Sequence, residues 1–501
     1  MPVVELPYDI WLYITNFLDA KDVQRLYPVN KELFHIVMGE RYRHACIGFP
    51  PRLDFLYKYA QIRDTFSAVR VRQLTISYGP LYRTPSKTKS QTIRKSFLGL
   101  TNASVVRTLG RLRNRATSDM QNVMNLIPSL TSVHFLEIRL NRLEDPAFHP
   151  PKVEILKTCL SNFGPNLTTL ILNTPMEDLR IALVPLAKFP RLESLFVDIT
   201  LLFRSSDGNA LVHEILHPFI VAHRDTLRSL TLEQMESIDM STTLSRLPHM
   251  PCLTDFCLSQ AFVSVELTNL SGHRQFLARH RDQLRQLDLH FIPSHCRFPS
   301  AEVWYAQEWT QIRLTELESL AIGFPLISEH CSRPKTIGYL YQYVHHLTSL
   351  NIRNHIFSYD HTVLLLSGLQ DSTRLRRLDM RAFSLSPDIL RLLAEKLHDL
   401  HFLSIRAKYS LPFKDILVSY NDRAAGFCLS IENTIFPVWK LHTLVISPKT
   451  AKIAIAVLSA LPALQILCGE DRDDIFASSR SKMGRPQHQS LRSAPLFTPA
   501  G

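Results

Sequence analysis

His213-Glu214-Ile215-Leu216-His217 spells H-E-x-x-H, and His223 follows six residues after the second histidine. In a zinc hydrolase, two imidazoles one helical turn apart hold the metal, the glutamate acts as general base and a third ligand arrives after a glycine turn. Here the glycine position is Ile220, a β-branched residue poorly suited to positive φ, and Pro218 removes the hydrogen bond back to residue 214. A second explanation lies in the chain itself. The stretch Phe219 to Leu232, FIVAHRDTLRSLTL, aligns with Phe276 to Leu289, FLARHRDQLRQLDL, placing His223 opposite His280, which has no H-E-x-x-H before it. The shared histidine therefore reads as part of a repeat, near a helix C-terminus where a cation suits the dipole. The chain's 15 glycines form no phosphate-binding loop. No catalytic residue, metal or cofactor is expected, and the chain reads as a non-enzyme.

The elements that carry these histidines recur as L-x-x-L-x-L. Copies begin at Leu167, Leu192, Leu227, Leu253, Leu284, Leu317, Leu347, Leu375, Leu400, Leu441 and Leu464, with Val71 as a first instance and Leu130 as a looser one. Spacing is irregular, as in leucine-rich repeats of uneven length. In the unit Asp207 to Glu233, Leu211, Ile215, Leu216, Phe219 and Ile220 make a helical stripe, and Leu230-Thr231-Leu232 alternates as a strand. No unit buries its apolar face alone, so stacking must supply the core. The expected fold class is α/β: a small N-terminal three-helix domain over 1–50, then an irregular solenoid over 51–468 with parallel strands inside and helices outside. Phe55 to Ala68 is expected to be helical. A basic insertion around 83–115 holds nine Lys or Arg and no acid. The segment 469–501 has too few apolar residues to fold and reads as a disordered tail.

At the start of the chain, Ile10, Ile14, Phe17 and Leu18 fall on one side of a helix entered through Leu6-Pro7 and ending near Leu18. Asp19 is placed to cap a second helix carrying Val23 and Leu26, and Asn30 a third carrying Leu33, Phe34 and Val37. Leu6-Pro7, Asp9-Ile10-Trp11, Ile14, Phe17-Leu18, Asp22-Val23, Leu26 and Val29-Asn30-Lys31 fall in the order and spacing of an F-box. The whole chain resembles the fungal F-box proteins with leucine-rich repeats. That resemblance implies that Leu6, Pro7, Ile10, Ile14, Leu18, Leu26 and Val29 bind the adaptor of an SCF-type, cullin-based ubiquitin ligase, and that the repeats hold a client protein. One departure is Asn30-Lys31, where many members have cysteine followed by a basic residue.

Strand geometry points to where a client would sit. In L-x-x-L-x-L-x the third, fifth and seventh positions face away from the leucines. The seventh position of three successive units is Arg353, Arg381 and Arg406, a column of like charge that an acidic or phosphorylated client segment would match. The formal charge of +12 agrees with an acidic partner. A scaffold without ligase function and a nucleic-acid binder using the basic insertion are the competing readings, nucleic acid being the less expected partner. Eight cysteines without a C-x-x-C pair suggest buried thiols in a reducing compartment, cytoplasm or nucleus. No signal peptide or membrane span is expected.

Overall fold

The computed structural model describes residues 6–49, 64–78, 121–140, 149–183, 189–201, 208–234, 238–262, 270–293, 312–323, 340–370, 372–409, 420–447 and 451–475, apart from isolated positions in the later spans. The expected basic insertion, most of the Phe55 to Ala68 helix and the tail beyond 475 lie outside the described residues.

Three short helices open the chain: α1 (Tyr8–Thr15), α2 (Ala20–Arg25) and α3 (Lys31–Tyr42). The carbonyl of Pro7 accepts from the N–H groups of Ile10 and Trp11, which starts α1. It stops at Thr15, three residues before the expected end. The Thr15 hydroxyl donates to the Leu12 carbonyl at 2.9 Å, and the backbone tightens to i→i+3 bonds at Phe17 and Leu18. Asp19 accepts from the N–H groups of Lys21 and Asp22 at 2.8 and 2.7 Å, and the Asn30 side chain accepts from Leu33 N–H at 2.8 Å, so both expected caps form. Leu33, Ile36 and Val37 are buried on α3. The same helix reaches α4 (Thr65–Ala68) through Phe34 and Phe66, whose rings lie 6.0 Å apart.

The chain divides into two compact bodies, one comprising Met1–Phe298 with Gln307–Glu316 and so including these helices, the other Pro299–Ala306 with Leu317–Gly501. Both are α/β, with parallel strands in sequence order and helices between them, as in a solenoid-like repeat. The first body holds β1 (His44–Phe49), β2 (Gln73–Tyr78), β3 (Phe135–Arg139), β4 (Thr169–Asn173), β5 (Ser194–Ile199), β6 (Ser229–Gln234), β7 (Asp255–Phe262) and β8 (Gln286–Pro293). Its helices after α4 include α5 (His149–Phe163), α6 (Met176–Leu183), α7 (Gly208–Ala222), α8 (Met240–Arg246) and α9 (Ser271–Arg279). The repeat leucines set the register: Leu136, Leu170, Leu195, Leu230, Phe256 and Leu287 lie side by side on successive strands and are all buried. A fully buried leucine contributes about 1.5–3 kcal/mol, so each added strand extends a continuous core.

One copy is displaced from its expected place. Leu136 and Ile138 pair with Leu170 and Leu172, so the unit in register begins at Val133 and not at Leu130. Leu130 and Val133 are both fully buried, and a slip of three residues keeps the same apolar spacing, which is why the sequence offers two frames.

The second body holds β9 (Ser319–Gly323), β10 (Ser349–Phe357), β11 (Arg377–Ser384), β12 (Phe402–Tyr409), β13 (Thr443–Ser447), β14 (Ile466–Leu467) and β15 (Glu470–Asp471). Its described helices are α10 (Tyr359–Leu369), α11 (Pro387–Lys396), α12 (Tyr420–Glu432) and α13 (Ala451–Ala460). Here the last described strand turns back. Cys468 and Gly469 adopt positive φ, 54° and 82°, and β15 runs antiparallel to β14. The Arg472 guanidinium then donates to the carbonyls of Leu458, Leu461, Pro462 and Leu464 at 2.9–3.2 Å, satisfying acceptors at the C-terminal end of α13 and beyond. The expected domain boundary at 468 thus falls inside a hairpin.

Of the six described cysteines only Cys159 is buried, while Cys46 is exposed and the others are half-buried, so the expectation of buried thiols holds at one position. Among the described residues no helix is long and apolar enough to cross a membrane.

Candidate functional site

The N-terminal helices turn a small core inward and leave much apolar surface outward. Val23 joins Leu33, Ile36 and Val37 inside, whereas Ile10 is 45% exposed, Val29 60% and Phe17 72%. Leu6, Pro7 and Leu18 are exposed as well, and Ile14 and Leu26 are half-buried, so all seven residues of the expected adaptor face remain accessible. Tyr8, Leu12, Tyr13 and Tyr27 add to this surface without having been singled out from the sequence. The signal for them was available: α1 reads YDIWLYIT, apolar at six of eight positions, more than one buried stripe needs. Tyr13 and Phe17 meet edge to face at 4.9 Å in the open. Between α2 and α3 a groove of about 560 Å³ is lined by Gln24, Tyr27, Phe34, Val37, Met38 and Arg41. The described surface here is therefore apolar and open to solvent.

In the second body the strand arginines are only partly gathered. Arg381 lies directly opposite Arg406 in the β11–β12 register. Arg353 does not continue the column. Between Asn351 and Ile356 the β10 strand takes five steps while β11 takes two, so Ile356 faces Arg381, and Arg353 instead stands beside Gly323 of β9. This bulge breaks the three-arginine alignment that uniform repeats would give. Asp379 offsets part of the remaining charge, its carboxylate 3.9 Å from the Arg406 guanidinium. Four residues before Arg381 and Arg406 on these strands, the Arg377 guanidinium covers the ring of its register partner Phe402 at 4.1 Å. A charged and aromatic strand face results, able to bind an anionic segment.

The first body carries a different strand face. Asp198 pairs in register with Glu233, and burial together with the Glu233 charge pushes the Asp198 carboxyl up to about 6. Glu137 accepts from Thr75 at 3.0 Å and pairs with Arg139.

The histidines resolve into two roles. His223 donates from Nδ1 to the Phe219 carbonyl at 2.7 Å, while its Nε2 accepts from Phe189 N–H at 2.9 Å. His280 repeats the pattern, donating to Phe276 O at 2.8 Å and accepting from Met250 N–H at 3.1 Å. Both rings are buried, and burial lowers both pKa values, that of His280 to about 4. These are neutral clasps between repeats. The expected cation near a helix end is corrected: a ring that must accept an N–H at Nε2 cannot carry a second proton. Since both His223 nitrogens are occupied by backbone, it cannot complete a zinc site with His213 and His217. Those two lie on α7, which continues through Pro218. His213 accepts from Arg246 at 2.6 Å, and His217 donates to the Arg246 carbonyl at 3.2 Å. Among the described residues no three His, Cys, Asp or Glu side chains gather as a metal centre requires.

One ionic feature has no sequence signature. Lys152 of α5 and Asp178 of α6 meet at 2.5 Å with side chains 1% and 0% exposed. Compared with protein-family models, the chain matches none, and no curated protein matches it.

Proposed function

We propose that the N-terminal helices are an F-box-like docking module for the adaptor of a cullin-based ubiquitin ligase, and that the leucine-rich repeats receive the client. The observation that carries this reading is the outward apolar surface of α1, α2 and the turns that follow them, including Ile10, Leu18 and Val29, on a module too small to hold so much apolar area exposed without a partner. The protein would contribute no bond-making chemistry. It would raise the effective concentration of the client near a ubiquitin-loaded enzyme by holding both in one assembly. On the client side, Arg381 and Arg406 with Arg353 nearby fit an acidic or phosphorylated segment.

The test uses Ile10→Asp combined with Val29→Asp. Both side chains are exposed, so the folded chain tolerates the charges, whereas an apolar interface would have to bury them. Co-purification with adaptor and cullin is expected from wild type and lost in the variant, with thermal unfolding unchanged. Adaptor retained at wild-type levels would refute the assignment.

A further inference from the structure

In the second body, the third position of the repeat, read across the register from β9 to β13, is occupied by Ser319, Ser349, Arg377, Phe402 and Thr443. Small hydroxyl side chains serve at three of these strands, so the sheet does not need the two large ones at its centre. Arg377 and Phe402 nevertheless form a single object. The guanidinium carbon lies 4.1 Å from the ring centroid, which holds the guanidinium as a plate over the ring. Arg377 is exposed and Phe402 half-buried, so the plate rests on the sheet and turns its outer face to solvent. A planar cation supported from below is a stacking surface for a second ring, because a guanidinium attracts aromatic faces on either side.

Four residues further along the same two strands stand Arg381 and Arg406. Between plate and pair, at the fifth position, are Asp379, with a side chain 15% exposed, and the buried Ser404. Strands rise about 3.3 Å per residue, so the plate and the arginine pair are about 13 Å apart along the sheet. An extended partner segment covers that distance in four residues, and its positions i, i+2 and i+4 fall on one face.

We infer that the client segment carries an aromatic residue four positions from its acidic or phosphorylated one, the ring stacking on Arg377 while the anion meets Arg381 and Arg406. The inference rests on the anionic-client reading above and adds a second anchor to it. The residue midway faces Asp379, where a carboxylate is repelled and a neutral or basic side chain is accepted. A nucleic acid strand fits less well, because successive bases need successive rings to stack on, and Phe402 is the one ring at the third position from β9 to β13.

The test uses the full chain and short fluorescent Gly-Ser peptides that carry phosphothreonine, with either tryptophan or alanine four positions away. Wild type is expected to bind the tryptophan peptide about three- to ten-fold more tightly than the alanine one. Moving the tryptophan to three positions away turns its ring to the opposite face and should remove the advantage. Arg377→Gln and Arg377→Lys should each remove it as well, with thermal unfolding unchanged because the side chain is exposed. The lysine variant keeps the charge without the plate, so it should still bind the alanine peptide as wild type does. Arg381→Ala with Arg406→Ala should instead remove the dependence on the phosphate. The inference is overturned by the absence of a tryptophan advantage in wild type, by an advantage indifferent to spacing, or by one that survives both Arg377 variants. Phosphate dependence that persists in those cases leaves the anionic-client reading standing. Equal binding of the phosphorylated peptides and their unphosphorylated twins overturns that reading and this inference together. Tighter binding of a single-stranded oligonucleotide, lost on Arg377→Gln, would overturn the inference in favour of nucleic acid.

Discussion

His280→Gln isolates the contribution of one neutral clasp. The wild-type ring is buried, stacked on His249 at 5.4 Å and near Arg279, and burial above all lowers its pKa from 6.5 to about 4. The folded protein therefore keeps the ring neutral where the unfolded chain takes up a proton. By linkage, the stability it contributes is complete above pH 6.5, falls as the pH drops from 6.5 towards 4, and levels off below. Between about pH 7.5 and about pH 5 the loss comes to about 2 kcal/mol. His273, fully buried and also lowered to about 4, adds a similar loss. Glutamine keeps a donor and an acceptor but does not titrate, so its loss over the same interval should be smaller by about 2 kcal/mol. Denaturant unfolding at the two pH values, with hydrogen exchange at the Met250 amide, reads this directly. His280→Leu provides the contrast: it strands the buried Met250 N–H and should cost about 1–3 kcal/mol at both pH values. If wild type and the glutamine variant lose the same stability on acidification, His280 is not the neutral acceptor described above.

Lys152→Met takes the ammonium away from the buried Asp178 carboxylate and should lower stability by about 3–5 kcal/mol, whereas Lys152→Met with Asp178→Leu should return close to wild type; a double variant as unstable as the single would refute this. Gly272→Ala and Gly39→Ala should move the unfolding temperature in opposite directions. A Cβ at Gly272 would overlap the Ser241 carbonyl, forcing α8 and α9 apart at about 1–3 kcal/mol, while one at Gly39 within α3 meets nothing and gains about 0.5–1 kcal/mol. Arg381→Ala with Arg406→Ala should reduce capture of an acidic client and its salt dependence, with Arg353→Ala alone having the smaller effect because the bulge removes it from the column.

Local signals in the sequence were the dependable ones. Asp19 and Asn30 cap the helices they precede, because a side-chain oxygen two or three residues from a free N–H needs nothing distant to make its bond. The L-x-x-L-x-L spacing likewise located most strands, since burial of alternate residues is decided within one unit. What failed depended on neighbours. The frame at Leu130 or Val133 is settled only by which of two apolar sets lands beside Leu170. Arg353 leaves its column because β10 bulges against β11, a property of two strands together. The alignment of His223 with His280 was visible in the sequence, but their neutral state depends on backbone N–H groups 34 and 30 residues earlier. Lys152 and Asp178, charges in stretches that read as ordinary surface, find each other only once α5 and α6 pack.

The antiparallel turn at Cys468 and Gly469 also limits what the described end of the sheet offers to another strand. A stack of parallel strands ends in a row of unmet N–H and C=O groups, which another strand of any origin can extend. Here the last described rung of the second body is a strand two residues long, folded back on β14 and anchored from behind by Arg472. Such an end gives an incoming strand almost no template, and the carbonyls that continued helix growth would use are already taken.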